Sequence, residues 1–187
     1  MIASRNPFRV SRTEELLFFR PEWCGLTWEE LEANWESVGR QGAIIGPHGV
    51  GKTTLLESWQ KRLEEKGERV AKVFLNRQER SFSKVVFSEI EKATVLLVDG
   101  AEQLTWARRR ALVRAACGKA WLETRHRKGR LPIVANLQPD REILNRCLAE
   151  LQEEVSSEKL DAWWTSHQGN LRDILLSCYD WKAKDSE

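Results

Sequence analysis

Residues 46–54 read Gly46-Pro47-His48-Gly49-Val50-Gly51-Lys52-Thr53-Thr54, and this stretch decides the fold of the chain. It fills every fixed position of the pattern G-x-x-x-x-G-K-[ST], a loop that cradles phosphate. Gly46, Gly49 and Gly51 let the backbone turn tightly and aim successive N–H groups at anionic oxygens with no Cβ in the way. Lys52 supplies a point positive charge for terminal phosphates, and the Thr53 hydroxyl is a ligand for Mg²⁺. The flanks agree. Ala43-Ile44-Ile45 is a short apolar run before the loop, and from Thr53 on the sequence reads as a helix whose N-terminus faces the anion. Lys52 reads as a surface-loop charge whose loss the core should not notice. The expected ligand of Gly46–Thr54 is a nucleoside triphosphate.

Working outward, the 187 residues are 41% hydrophobic and 31% charged, which suits a folded globular chain and excludes an intrinsically disordered one. No apolar run approaches the roughly 20 residues that span a bilayer. The first residues, MIASRNPFRVSR, lack the apolar centre of a secretory signal. Cys24, Cys117, Cys147 and Cys178 lie far apart with no C-x-x-C pair, and His48, His126 and His167 are equally scattered. The expectation is a cytoplasmic protein with reduced thiols, no membrane contact and no structural metal.

Five apolar runs alternate with helical patterns, the mark of an α/β sheet. Strands are predicted at Ala43–Ile45, Arg69–Leu75, Thr94–Asp99, Ala120–Thr124 and Leu131–Leu137. Helices are predicted at Thr53–Lys66, with Leu55, Leu56, Trp59 and Leu63 on one face, and at Ser83–Lys92, with Phe82, Val86 and Ile90 inward. A further helix follows Thr105, an N-cap, to about Cys117. Asp140–Glu154, Glu158–His167 and Asn170–Trp181 complete the set, Gly169 breaking the last two. Val95-Leu96-Leu97-Val98 is the most apolar run in the chain, as a central parallel strand should be. Only about six residues separate the last two strands, fewer than the dozen of a usual parallel crossover. An extended parallel link and an antiparallel edge strand both stay open.

Residues 1–42 read as a lead-in strap across the sheet edge, with a turn and aromatic anchor at Asn6-Pro7-Phe8 and an apolar patch at Leu16–Phe19. Thr27 and Glu30 form a capping-box pattern. Residues 43–138 form the core and 139–187 a helical lid-like region. Most of the nine tryptophans are expected in packing; of the adjacent Trp163 and Trp164, one is free to face a partner or an adenine ring.

A triphosphate site needs a second acidic element for Mg²⁺, and the strand 94–99 ends in Asp99 at its carboxyl edge, where open α/β sheets bind ligands. In many ATPases a Glu follows this Asp; here Gly100 does, and the next acid is Glu102. The run Asp99-Gly100-Ala101-Glu102-Gln103-Leu104 resembles the second motif, D-G-x-D-E-L, of NACHT-type ATPases, a branch of the STAND class related to the AAA+ superfamily. Asp99, Gly100 and Leu104 match, Glu102 replaces the first later acid, and Gln103 stands in place of the second. Glu123-Thr124-Arg125-His126 is similar to the T-T-R of the STAND first sensor, which monitors the γ-phosphate. Gly169-Asn170-Leu171-Arg172-Asp173 looks like the second sensor of AAA+ lids, whose arginine reaches back to the nucleotide.

The resemblance covers residues 43–181 and leaves out the effector and repeat domains of larger STAND proteins. It implies a P-loop NTPase three-layer sandwich, a mostly parallel five-stranded sheet of order 5-1-4-3-2, and a short helical lid. It further implies ATP held by Gly46–Thr54, Mg²⁺ on Thr53 and Asp99, and chemistry by Lys52, Asp99, Glu102, Arg125 and Arg172. The output would be a conformational switch acting on a macromolecular partner that the sequence does not identify.

Charge adds one feature. Between Thr105 and Arg130 there are nine basic residues and a single acid, Glu123, although the whole chain is only +2. Phosphate contact with nucleic acid, an arginine finger toward a neighbouring subunit, and a solvated face all stay open, the solvated face being the simplest. Of Arg108, Arg109 and Arg110, one is expected to point inward or pair with an acid. The alternatives to a switch ATPase are a small-molecule kinase, for which Asn76–Arg80 is the sole acceptor-motif candidate, and a non-hydrolysing nucleotide-binding module. No N-K-x-D base-reading motif of a GTPase occurs. Oligomeric state is not legible.

Overall fold

The structure is a computed structural model and describes residues 6–75 and 84–184. Asn76–Arg80, Phe82 and Ser83 lie outside the described residues. The chain divides into two compact units, the larger formed by Thr27–Gly46 and Lys52–Asn136. Its centre is β3 (Val95–Asp99), buried at every position, as a strand covered on both faces must be. Around it stand β1 (Gln41–Ile45), β2 (Val70–Phe74), β4 (Ala120–Arg125) and β5 (Ile133–Asn136) in the order β2-β3-β4-β1-β5. All four pairings are parallel. This is the expected order 5-1-4-3-2 read from the other edge.

Register explains how so short a link serves a parallel pair. β4 ends with Arg125 opposite Ile45, whereas β5 begins with Ile133 opposite Ala43. Residues 126–132 therefore retreat by only two positions of β1 while crossing two strand spacings, about 12 Å in all, well within a reach of about 3.3 Å per residue. The backbone N–H of Ala43 donates to Pro132 O at 2.8 Å and fixes the landing.

Helices cover both faces of the sheet. On one side α3 (Lys52–Glu65) buries Leu55, Leu56, Trp59 and Leu63, the face its periodicity predicts. There α2 (Trp28–Ser37) joins it through Trp35, whose ring meets that of Trp59 edge-on at 5.6 Å. The start of α2 is held by the capping box: Glu30 N donates to Thr27 Oγ1 and Thr27 N to Glu30 Oε2, 3.1 and 2.8 Å. On the other side α4 (Lys84–Lys92) and α5 (Trp106–Ala115) bring Ile90 and Leu112 onto Leu96, Val98 and Trp121. Thr105 caps α5 as expected. Trp106 is an exception to the expectation that most tryptophans are packed, being 71% exposed.

The second unit comprises residues 6–26, 47–51 and 137–184. α1 (Val10–Leu16), α6 (Arg141–Glu150), α7 (Ser157–Ser166) and α8 (Leu171–Lys184) share a core of Phe8, Leu144, Leu148, Leu160, Ile174 and Cys178. The anchor at Phe8 is buried, and Asn6 ties it down by donating to Tyr179 O at 2.9 Å. In the apolar patch, Leu16 and Leu17 pack on this core while Phe18 remains exposed. Trp163 and Trp164 are both half-buried, so neither is the exposed ring that their adjacency suggested. Among the described residues no helix is long and apolar enough to cross a membrane.

Burial separates the thiols. It pushes Cys147 and Cys178 up to about 12, whereas Cys117 is exposed. Alkylation of the native protein near neutral pH should label Cys117 first and leave Cys147 and Cys178 unmodified until unfolding, read by mass spectrometry. The sign of the linkage follows. Above pH 9 the unfolded chain loses thiol protons that the native state keeps, so stability falls as pH rises from about 9 toward about 12.

Candidate functional site

The carboxyl edge of the sheet gathers side chains from four elements. Parallel register sets Val98 beside Glu123, so Asp99, the last residue of β3, stands level with Thr124, one residue before the end of β4. Asp99 is 4% exposed and both of its oxygens are used. Thr53 Oγ1, from the first turn of α3, donates to Oδ2 at 2.7 Å. Thr124 Oγ1 donates to Oδ1 and in turn accepts from Gly100 N at 2.9 Å. Gly100 has φ +77°, and a Cβ there would lie 2.5 Å from Leu75 O. No acid can therefore follow Asp99 directly, and the next carboxylate comes from the 3-10 turn Ala101–Gln103.

That carboxylate is Glu102. Its Oε1 meets His126 Nε2 at 2.7 Å, while Oε2 is buried with no hydrogen-bond partner among the described residues. His126 Nδ1 lies 3.3 Å from Lys52 Nζ, which also donates to Gly46 O at 2.8 Å. Lys52 is thus 8% exposed, and the expectation of a surface charge is corrected. The side chain folds back along its own loop because buried carbonyl and imidazole acceptors satisfy the ammonium there. Desolvation lowers the pKa of this ammonium, while the carboxylates of Glu102 and Asp99 pull it back up.

These donors suit a hard cation. Thr53 Oγ1 and Asp99 Oδ2 are adjacent oxygens, 2.7 Å apart. Hydroxyl and carboxylate oxygens are the ligand types that fit Mg²⁺, while no group of three or more His, Cys, Asp or Glu that could hold a metal ion by themselves occurs among the described residues.

Arg125 is engaged elsewhere. Its Nη1 donates to Glu123 Oε1 at 3.2 Å. Glu123 is fully buried and also receives Arg109 Nη1 at 3.1 Å and Trp121 Nε1 at 3.0 Å. Arg109 is therefore the inward member of the arginine triplet. Lys119 binds the carbonyls of Glu91 and Ala93 at 3.0 and 2.7 Å.

In the other unit, Pro47 and His48 are exposed, Val50 is buried, and Gly49 takes φ +72°. A Cβ on Gly49 would lie 1.6 Å from Asn170 Oδ1. Asn170 precedes α8 and caps it, accepting from Asp173 N at 3.3 Å. Gly49 is thus required for the close approach of Asn170. Arg172 is exposed on the first turn of α8. Sequence reasoning quoted Glu123, His126 and Asn170 within its motifs but gave none of them a role. Thr124 was visible within the Thr-Arg pair, but nothing local to His126 announces its bridge between residues 52 and 102.

No protein family model matches the sequence, and no curated protein does. Solved structures share the fold. A DNA replication initiation factor superposes with TM-score 0.62 at 18% identity, covering 89% of this chain and 63% of that one. The replication initiator DnaA bound to AMPPCP and single-stranded DNA gives 0.59 at 17%, covering 82% and 59%. Domain III of the Thermotoga maritima replication initiation protein DnaA gives 0.53 at 18%, covering 83% and 85%. The chain spans about three-fifths of the length of the first two. At these identities the likeness is one of fold: an α/β sandwich built on a parallel five-stranded sheet.

Proposed function

We propose that the chain is an ATP-binding and ATP-hydrolysing switch of the AAA+ kind, in its STAND branch. The observation that carries it is the meeting of Lys52, Thr53, Asp99 and Glu102 at the carboxyl edge of β3, behind a complete phosphate-loop sequence. Gly46–Thr54 hold the phosphates, Lys52 neutralises the terminal ones, and Thr53 and Asp99 hold Mg²⁺, which supplies charge neutralisation when bound. Glu102 Oε2 accepts the proton of attacking water. Gly100, whose backbone excludes a directly following glutamate, favours the STAND branch. Arg125 and Arg172 answer to the γ-phosphate, Arg125 by leaving Glu123 to Arg109. Residues 43–138 are then the ATPase core, 139–187 the lid-like region and 1–42 the strap of a cytoplasmic protein. A DnaA of this fold was solved with AMPPCP, which supports a nucleotide in the same place.

Steady-state phosphate release and nucleotide titration test this. Asp99→Asn should abolish the Mg²⁺-dependent part of ATP affinity. Glu102→Gln should keep affinity and lower turnover at least about hundredfold, since a general base acts in the transition state. Binding without turnover in wild type would favour a structural nucleotide, and turnover only with an added acceptor a kinase.

A nucleic-acid partner is favoured by one further observation. With Arg109 and Arg125 spent on Glu123 and Lys119 on carbonyls, six cations remain: Arg108, Arg110, Arg114, Arg127, Lys128 and Arg130. None has an ion-pair partner among the described residues. Beside them the exposed Trp106 carries Arg110 over its ring at 5.5 Å. Log affinity for duplex DNA should fall with log salt, and Arg108→Ser with Arg110→Ser should reduce the slope by about two units, at about 0.9 per phosphate contact. No binding at low salt would leave a subunit-facing or solvated surface, which sedimentation with and without ATP would separate.

A further inference from the structure

We infer that His126 is a positioning residue that couples the engagement of Lys52 to Glu102. The inference builds on the nucleotide-site reading above, but its central observation is independent of turnover. A lysine ammonium has donors and no acceptor, so the 3.3 Å contact with His126 Nδ1 requires a lone pair on Nδ1. The ring proton must then sit on Nε2, where it donates to Glu102 Oε1 at 2.7 Å. The imidazole is neutral, of one tautomer, and both of its nitrogens are engaged.

The consequence falls on the carboxylate. The contact through Oε1 orients Glu102, and its other oxygen, Oε2, is buried without a hydrogen-bond partner among the described residues. A buried acceptor left open is costly unless something is meant to occupy it. Orientation by a hydrogen-bonded neighbour is how such a carboxylate keeps one lone pair aimed at a water.

The same bridge has a second end. Lys52 donates to Gly46 O and contacts His126, two neutral acceptors. A terminal phosphate, being charged, draws the ammonium to itself, and Nδ1 then loses the donor that fixed the tautomer. His126 thus registers whether Lys52 is occupied, and passes that to the residue that handles water. Arg125, the sensor that the sequence suggested, pairs with Glu123 here, whereas His126 touches Lys52 itself.

Imidazole ¹⁵N spectra of the nucleotide-free protein test the first half. His126 should appear as the neutral Nε2–H tautomer at mildly alkaline pH. Lys52→Met should mix the tautomers, and AMPPCP with Mg²⁺ should shift the Nδ1 signal of wild type. An Nδ1–H or doubly protonated ring, or spectra of Lys52→Met identical to wild type, would overturn the inference even if the protein hydrolyses ATP. Kinetics test the second half. His126→Ala should lower kcat about tenfold while AMPPCP affinity changes less than about threefold, the size expected of an orienting partner. His126→Gln, which can accept from Lys52 and donate to Glu102, should recover most of the loss. Equal losses in affinity and kcat without rescue by Gln would mark His126 as merely structural and sink the positioning role. Absence of AMPPCP binding in wild type would refute the nucleotide reading alone, leaving the tautomer spectra to decide the bridge.

Discussion

Lys52→Met is expected to weaken nucleotide binding at least about hundredfold while the protein stays folded. Methionine keeps the length and apolar body of the lysine stem, so the buried path from α3 to Gly46 remains filled. What disappears is the ammonium. Hydrogen bonds from a charged donor to phosphate oxygens are worth about 1.5–3 kcal/mol each. Part of that is offset, because Lys52 surrenders its bonds to Gly46 O and His126 when it turns to a ligand. A net loss of about 2.7 kcal/mol corresponds to the hundredfold. The fold should tolerate the change, since the ammonium is already partly desolvated and the lost countercharge for Asp99 and Glu102 is modest. Calorimetric titration with AMPPCP, alongside a thermal melt, measures both. Wild-type affinity in a folded Lys52→Met protein would remove the phosphate-loop assignment.

Glu123→Ala should destabilise the fold by about 3 kcal/mol, the largest stability effect expected of a single polar residue here. Glu123 is fully buried and accepts from Arg109, Arg125 and Trp121. Removing it leaves two guanidinium groups and an indole N–H without that acceptor. The two arginine side chains are 24% and 23% exposed, so water recovers part of the cost and the value sits at the lower end for a broken buried pair. The damage should be local, because the carboxylate joins the first turns of α5 to the end of β4. Hydrogen exchange should therefore accelerate most in Trp106–Ala115. Glu123→Gln, which retains an acceptor for Trp121, should cost less. Denaturant midpoints at constant slope report the difference, and a loss below about 0.5 kcal/mol in Glu123→Ala would show that the arginines find equivalent partners.

The elements themselves were legible because their determinants are local. The phosphate loop occupies nine consecutive residues, and the capping box needs only Thr27 and Glu30, one helical turn apart. The buried face of α3 follows from a period of 3.6, and the full burial of β3 from an unbroken apolar run. The strand order, too, was carried by the loop and by Asp99, whose family resemblance brought the sheet with it. Pairing across the chain was another matter. The parallel placement of β5 depends on its starting opposite Ala43, a register no local pattern records. Lys52 is buried because Gly46 O and His126 are there to receive it. Glu123 looked like a lone acid in a basic segment, yet the alternation of β4 turns it inward, where it absorbs Arg109 and Arg125. Gly49 answers to Asn170, whose Oδ1 a Cβ there would meet at 1.6 Å. Local sequence determines which elements form, because backbone periodicity and caps act over a few residues. The partners of charged side chains are decided only when register brings distant residues within about 3 Å and excludes the water that would otherwise satisfy them.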